Sequence, residues 1–426
     1  MVALAPTTLG FGDLDGVAQT GFMEATVKAA QVGLSRERLS CGLSQLIGGG
    51  GVLFRDGIGC PARISSSHRN VIGAADHIKR RTTKRRGVAL GGPAGDAVTG
   101  ATAMNTHGPL HTHTPLRESL PLSKVVGTPV YLKLDSAQPT GSFKIRGIGH
   151  LCKTWVQRGC KRFVCCSGGN AGMAAAYSAR RLGVPATIVV PVVTPDFTVE
   201  RLKDEGATVV VCGKVLKDSI EYGQQLVANN PGWVFISPYD DPLIWEGHTS
   251  LVRELQTELE VKPGAVVLSV GGGGLLCGVV EGLRQAGWGD VPIIAMETIG
   301  ADSLNAALRA GELVTLSEIT SIATTLGLNQ VAAQTLKLTC EHVVFSELVT
   351  DQQAVKAAEL FADDEKILVE PACGAALAAI YCNIINRLQK ESKLAQELGP
   401  VVVIVCGGNN ITLGKLQTLK KQLGLC

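Results

Sequence analysis

The chain has 426 residues, 45% hydrophobic and 18% charged, with a net charge of +3. That balance is globular rather than disordered, carries no global field that would call for nucleic acid, and contains no apolar run as long as a membrane span. Thirteen cysteines, odd in number and without a C-x-x-C pair, speak against a secreted disulfide framework and for a reducing compartment.

Residues 1 to 100 hold 12 basic and 7 acidic residues, leaving 28 and 30 for the remainder, so the body is slightly acidic. This first segment is glycine-rich, with Gly48 to Gly51 and a basic cluster from Lys79 to Arg86. It has no sustained pattern beyond a short helix near Phe22 to Ala30, and residues 1–103 are expected to be a largely disordered extension. Three readings compete for it. It is a gene-prediction artefact or alternative start, with Met104 as the natural beginning; or a mitochondrial transit segment, supported by Arg and Ser but weakened by Asp13, Asp15 and Glu24; or a nuclear address. The Met104 start is the favoured one.

The first chemistry-bearing run is Gln138-Pro139-Thr140-Gly141-Ser142-Phe143-Lys144-Ile145-Arg146-Gly147. After Lys144, Ile145, Ile148, Leu151, Cys152, Trp155 and Val156 recur at three- and four-residue spacing, which predicts an amphipathic helix. Pro139 and Gly141 precede it as turn residues, and Ser142 is expected to cap it. Lys144 then sits in the first turn, where the helix dipole disfavours a cation and favours the neutral amine that forms Schiff bases. A solvated surface lysine is the default for any lone Lys, so other motifs must decide.

Three apolar runs then each deliver a glycine loop. Arg162 to Cys166 leads into Ser167-Gly168-Gly169-Asn170-Ala171-Gly172 and an alanine-rich helix. Val266 to Val270 feeds Gly271, Gly272, Gly273 and Gly274 and a second helix, and Val401 to Val405 delivers Cys406-Gly407-Gly408-Asn409-Asn410. Side-chain-free N–H groups at a helix start suit a phosphate, and ligands gather at the C-terminal edge of open α/β sheets. The tetraglycine lacks the endings of a P-loop or dinucleotide fingerprint, which leaves a phosphate without a nucleotide. Each loop alone also reads as a plain turn packing helix on sheet, and Cys406 alone as a core thiol.

Together these residues resemble the fold-type II (tryptophan synthase β-like) pyridoxal phosphate enzymes, and within them the liver-type L-serine dehydratase/L-threonine deaminase family. The resemblance runs from about Leu110 to near the C-terminus. It takes in Tyr131 to Gln138, Asp241-Pro242-Leu243-Ile244-Trp245-Glu246-Gly247-His248, Ala295-Met296-Glu297-Thr298 and Val369-Glu370-Pro371-Ala372-Cys373-Gly374. It implies an α/β fold of two parallel-sheet domains with the cofactor between them. The large domain would comprise 104–141 plus 241–426 and the small one 142–240.

The resemblance further implies that Lys144 carries pyridoxal 5'-phosphate and moves the Cα proton, with Phe143 flanking the ring. Gly271, Gly272, Gly273 and Gly274 would hold the phosphate, Asn170 the ring hydroxyl, Ser167 with the following backbone the substrate carboxylate, and Cys406 would face the ring nitrogen. A thiol there leaves the ring a milder electron sink than a carboxylate would, which suits β-elimination. Glu297, with carbonyls near Ala301 and Leu326, matches the family's site for a monovalent cation such as K+. Gly168 departs from the liver enzyme and looks like its dehydratase-like isoform.

The implied activity is conversion of L-serine, and of L-threonine, to pyruvate or 2-oxobutyrate with ammonia, in amino-acid catabolism feeding gluconeogenesis. The implied setting is a cytoplasmic homodimer, mitochondrial if the extension is a transit segment, with no nucleic-acid or membrane partner. The chain ends soon after Gly407-Gly408-Asn409, so no regulatory domain and no isoleucine feedback are expected. The alternatives are a serine racemase or threonine-specific deaminase on the same fold, and a non-catalytic pyridoxal phosphate-binding protein.

Overall fold

The computed structural model describes residues 108–425; the sequence expectations for the extension, its helix, its basic cluster and the Met104 start lie outside them. The described chain opens with β1 (Leu116–Glu118), α1 (Leu120–Val126), β2 (Val130–Lys133), α2 (Lys144–Gln157), β3 (Arg162–Cys165), α3 (Asn170–Leu182), β4 (Ala186–Val190) and α4 (Asp196–Asp204). It continues through β5 (Thr208–Val211), α5 (Leu216–Ala228), β6 (Trp233–Phe235), α6 (Pro242–Glu258), β7 (Ala265–Ser269), α7 (Gly274–Gln285) and β8 (Ile293–Thr298). It ends with α8 (Ser303–Ala310), α9 (Ala333–Glu341), β9 (Val344–Val349), α10 (Asp351–Glu365), α11 (Pro371–Tyr381), α12 (Ile384–Lys390), β10 (Val401–Ile404) and α13 (Leu413–Gln422).

The strands form two sheets, ordered β1-β2-β10-β7-β8-β9 and β5-β4-β3-β6. All four strands of the second sheet lie between Arg162 and Phe235. β7 and β8 are buried along their whole length, as strands covered on both faces must be, and therefore read as unbroken apolar runs. Register is parallel throughout, Val403 pairing with both Leu132 and Val267, except at β1, which runs antiparallel to β2. β1 is a three-residue edge strand whose Arg117 and Glu118 are exposed, and charged residues blunt an open edge.

One core fills the space around the larger sheet, and a second packs α2 and α3 on the smaller. Helix α6 serves both, with Ile244 in the small core and Leu251, Val252 and Leu255 in the large one. Its start is well specified: Asp241 accepts from the Leu243 N–H at 2.8 Å, and Pro242 occupies the first turn. Among the described residues no helix is long and apolar enough to cross a membrane.

Helix α2 begins at Lys144, as its spacing predicts, but Ser142 does not cap it. Phe143 is the N-cap residue, and the backbone of Ser142 is taken up by a bridge to Gly407. The Ser142 hydroxyl is buried without a hydrogen-bond partner among the described residues.

Candidate active site

Three strand ends and the mouth of α2 meet around one cavity of about 480 Å3, a volume typical of small-molecule and cofactor sites. Its lining includes Phe143, Lys144, Ser167, Asn170, Gly271, Gly272, Gly273, Gly274, Leu326 and Cys406. Glu297 and Ala301 lie outside that lining.

The lysine loop is stitched to the loop after β10. Phe143 N–H donates to the Cys406 carbonyl at 3.2 Å, Gly408 N–H donates to the Gly141 carbonyl at 2.8 Å, and the Asn409 amide donates to the Thr140 carbonyl. Gly141 has φ +68°, a backbone that few side chains tolerate, and it permits the turn into α2. Lys144 donates to the Pro238 carbonyl at 2.5 Å and lies 5.3 Å from the Phe143 ring. Burial pulls its amine down to about 8, partly offset by the thiols of Cys165 and Cys406.

The tetraglycine needs glycine for packing reasons. Methyl groups at Gly272 and Gly273 would overlap the Tyr239 ring and the Thr335 side chain, and Gly273 has φ +86°. Helix α7 starts behind it with no side-chain cap, which leaves its first N–H groups available to an anion. Cys406 is buried, its sulfur 3.5 Å from the Ser269 hydroxyl at the end of β7.

Ser167 accepts from the Gly169 N–H at 3.2 Å, tightening the loop into α3, whose start also lacks a side-chain cap. Asn170 opens α3, its amide donating to Glu370 at 3.2 Å while its oxygen accepts from the Asn409 N–H at 3.0 Å.

Glu297 is placed differently. Its two carboxylate oxygens accept from the N–H groups of Leu304 and Asn305, each at 2.8 Å, so the side chain caps α8. Burial pushes its carboxyl up to about 8 against the pull of those two bonds. Ala301 pairs with Thr298 at the same strand end, and Leu326 packs against Gly271.

Three residues at the site received no role from the sequence. Glu370 and Tyr239 line the cavity, and His248 is buried with its ring tilted against Phe143 at a centroid distance of 5.1 Å. Among the described residues neither His248 nitrogen has a partner, and burial followed by the nearness of Lys144 holds its pKa well below the usual value. Glu370 and His248 stand in the motifs quoted above, so their presence in a shared pattern was the available signal, whereas Tyr239 had none.

Comparison with known proteins agrees with this geometry. The chain is 66% identical to the L-serine dehydratase/L-threonine deaminase of Mus musculus and 59% identical to the serine dehydratase-like protein of Rattus norvegicus, over 74% of this chain and 97% and 95% of theirs. The crystal structure of a fungal L-serine ammonia-lyase from Rhizomucor miehei superimposes with a TM-score of 0.69 at 39% identity, covering 74% of this chain and 99% of that one. Residues 108–407 match the pyridoxal-phosphate dependent enzymes, and the chain belongs to that family.

Proposed function

We propose that this chain catalyses β-elimination of L-serine and L-threonine, releasing pyruvate or 2-oxobutyrate and ammonia. The observation that carries the reading is one cavity lined by both Lys144, at the mouth of α2, and the uncapped glycine start of α7.

The donor set fits pyridoxal phosphate. Backbone N–H groups of Gly271 to Gly274 and the start of α7 suit its phosphate, the free N–H of Asn170 suits its hydroxyl, Phe143 its ring face, Cys406 its nitrogen and Lys144 its carbonyl. When bound, this cofactor withdraws electrons from an attached amino acid and makes the Cα proton acidic. Lys144 has the basicity to take that proton near neutral pH and, held at a helix mouth, acts with the advantage of an intramolecular base. The Ser167 hydroxyl and the N–H groups that follow it offer the donors a substrate carboxylate needs. Cys406 on the cavity wall would offer the ring nitrogen a thiol in place of a carboxylate, which would leave the bound cofactor a milder electron sink, suited to β-elimination.

The reading extends to a K+-type cation held by Glu297 with carbonyls near Ala301 and Leu326. Burial of the Glu297 carboxyl supports this, whereas its two N–H bonds compete for the same oxygens. It extends also, on resemblance alone, to a cytoplasmic homodimer in amino-acid catabolism feeding gluconeogenesis. Activity measured in K+ against Li+ tests the cation, sedimentation tests the dimer, and fractionation tests the compartment.

The decisive assay follows keto acid and chiral serine together, using purified protein with pyridoxal phosphate. Keto acid from both substrates is expected. D-serine as the main product would assign a racemase, keto acid from threonine alone a threonine deaminase, and cofactor binding without turnover a non-catalytic protein.

A further inference from the structure

We propose that Glu370 is a positioning residue that fixes the Asn170 carboxamide in one orientation and leaves a single amide N–H to recognise an acceptor in the cavity. The inference rests on the reading that the cavity takes pyridoxal phosphate.

Glu370 is 2% exposed and precedes Pro371 at the start of α11. Room for it exists because Gly408 has no side chain; a methyl there would overlap the carboxylate. One carboxylate oxygen accepts from the Asn410 N–H at 2.7 Å, and the other from the Thr325 hydroxyl at 2.7 Å and the Asn170 amide at 3.2 Å. A backbone N–H can only donate, so the Asn409 N–H at 3.0 Å identifies the oxygen end of Asn170. The other end meets a carboxylate, which accepts. Both ends are thus held by partners of fixed polarity, and the amide cannot flip without setting donor against donor and acceptor against acceptor.

Asn170 has two amide hydrogens, and Glu370 takes one. The second belongs to a side chain on the cavity wall and requires a ligand oxygen that accepts. Burial raises the pKa of Glu370, while its three donors pull the other way and favour the accepting form. A glutamine at this position could not serve all three. Turned either way, its NH2 would oppose the Asn410 N–H or the Asn170 amide.

The test is a double-mutant cycle on the full chain with E370Q and N170A, plus E370D as the conservative variant. Each protein is stripped of cofactor and titrated with pyridoxal phosphate, reading the dissociation constant and the cofactor absorbance maximum. E370Q is expected to weaken binding about tenfold and shift the band, with E370D in between, while in the N170A background E370Q adds less than about twofold. Equal weakening with and without Asn170, or wild-type constants and spectrum in E370Q, would overturn the proposal. If E370Q fails to fold, E370D and N170A form the same cycle. Wild-type protein that binds no pyridoxal phosphate would instead sink the underlying functional reading, so the two failures are distinguishable.

Discussion

Lys144 is a partly exposed residue whose buried amine donates to the carbonyl of Pro238. Its pKa of about 8 sets a pH window: the neutral base grows as pH rises through 8 and is lost below it. Labelling of Lys144 by an acylating reagent in cofactor-free protein is therefore expected to rise with an inflection near 8, well below that of a surface lysine. Lys144→Ala is expected to abolish borohydride-trapped cofactor and to slow elimination about a thousandfold or more. Trapping on Lys415, which also lines the cavity, would reassign the site. Gly168 makes a second residue-scale case. It has no positive φ, but a methyl on it would stand 2.9 Å from the Thr194 methyl at the cavity wall, so Ala must push that wall. Gly168→Ala is expected to change kcat/KM by about three- to tenfold and to move the serine-to-threonine ratio, with cofactor affinity nearly unchanged. Steady-state kinetics on both substrates beside a cofactor titration would show it.

At the scale of elements, the same unit recurs: a buried strand, a glycine turn and an uncapped helix, in β3–α3 and β7–α7. The second is the more constrained, because Gly273 combines a left-handed backbone with a close approach to Thr335. Gly273→Ala is expected to destabilise the protein by about 1–3 kcal/mol and to weaken pyridoxal phosphate binding at least as strongly as it affects stability. Adding Thr335→Ala should recover only a small part of the stability and little of the binding, since it removes the two nearest atoms but leaves the Thr335 Cβ 2.6 Å from the new methyl and the left-handed backbone unchanged. Thermal melts of the cofactor-free proteins beside cofactor titrations would separate the two. These units were readable from the sequence, as apolar runs and glycines are local signals. Boundaries moved by only a residue, with β7 at Ala265–Ser269. The Ser142 cap failed for a non-local reason, the pairing of its backbone with Gly407 far along the chain.

Across the molecule, the small-sheet helix α2 is tied to the larger sheet by buried charge. Arg146, two residues after Lys144, meets Asp135 at 2.7 Å and Glu254 at 2.6 Å and donates to the Thr114 hydroxyl at 3.0 Å; Lys133 meets Glu254 at 2.9 Å. Arg146, Lys133 and Asp135 are fully buried. Removing one partner strands the others, so Arg146→Met is expected to cost about 3–5 kcal/mol, read by denaturant unfolding. Burial works against the Glu254 carboxylate, yet Arg146 and Lys133 outweigh it and hold its pKa at about 2, below the ordinary 4.5. A depressed carboxylate contributes stability that is present above 4.5 and lost as pH falls towards 2. The wild type should therefore lose stability across that interval more steeply than Arg146→Met, and equal slopes would refute the linkage.

The sequence by itself determined the secondary elements around the site, the lysine at a helix mouth and the three glycine loops, because each depends on residues within a few positions of one another. Tertiary structure decided how those pieces join. Parallel strands carry their C-terminal ends to one edge, so the order β2-β10-β7 sets Lys144 beside Cys406 and the tetraglycine, an adjacency no spacing encodes. Asn170 meets Glu370 across 200 positions and Asn409 across 239, and the polarity of the site rests on those two bonds. Glu297 shows the same division. Its burial could follow from an apolar strand context, but only the fold turned both its oxygens toward the start of α8.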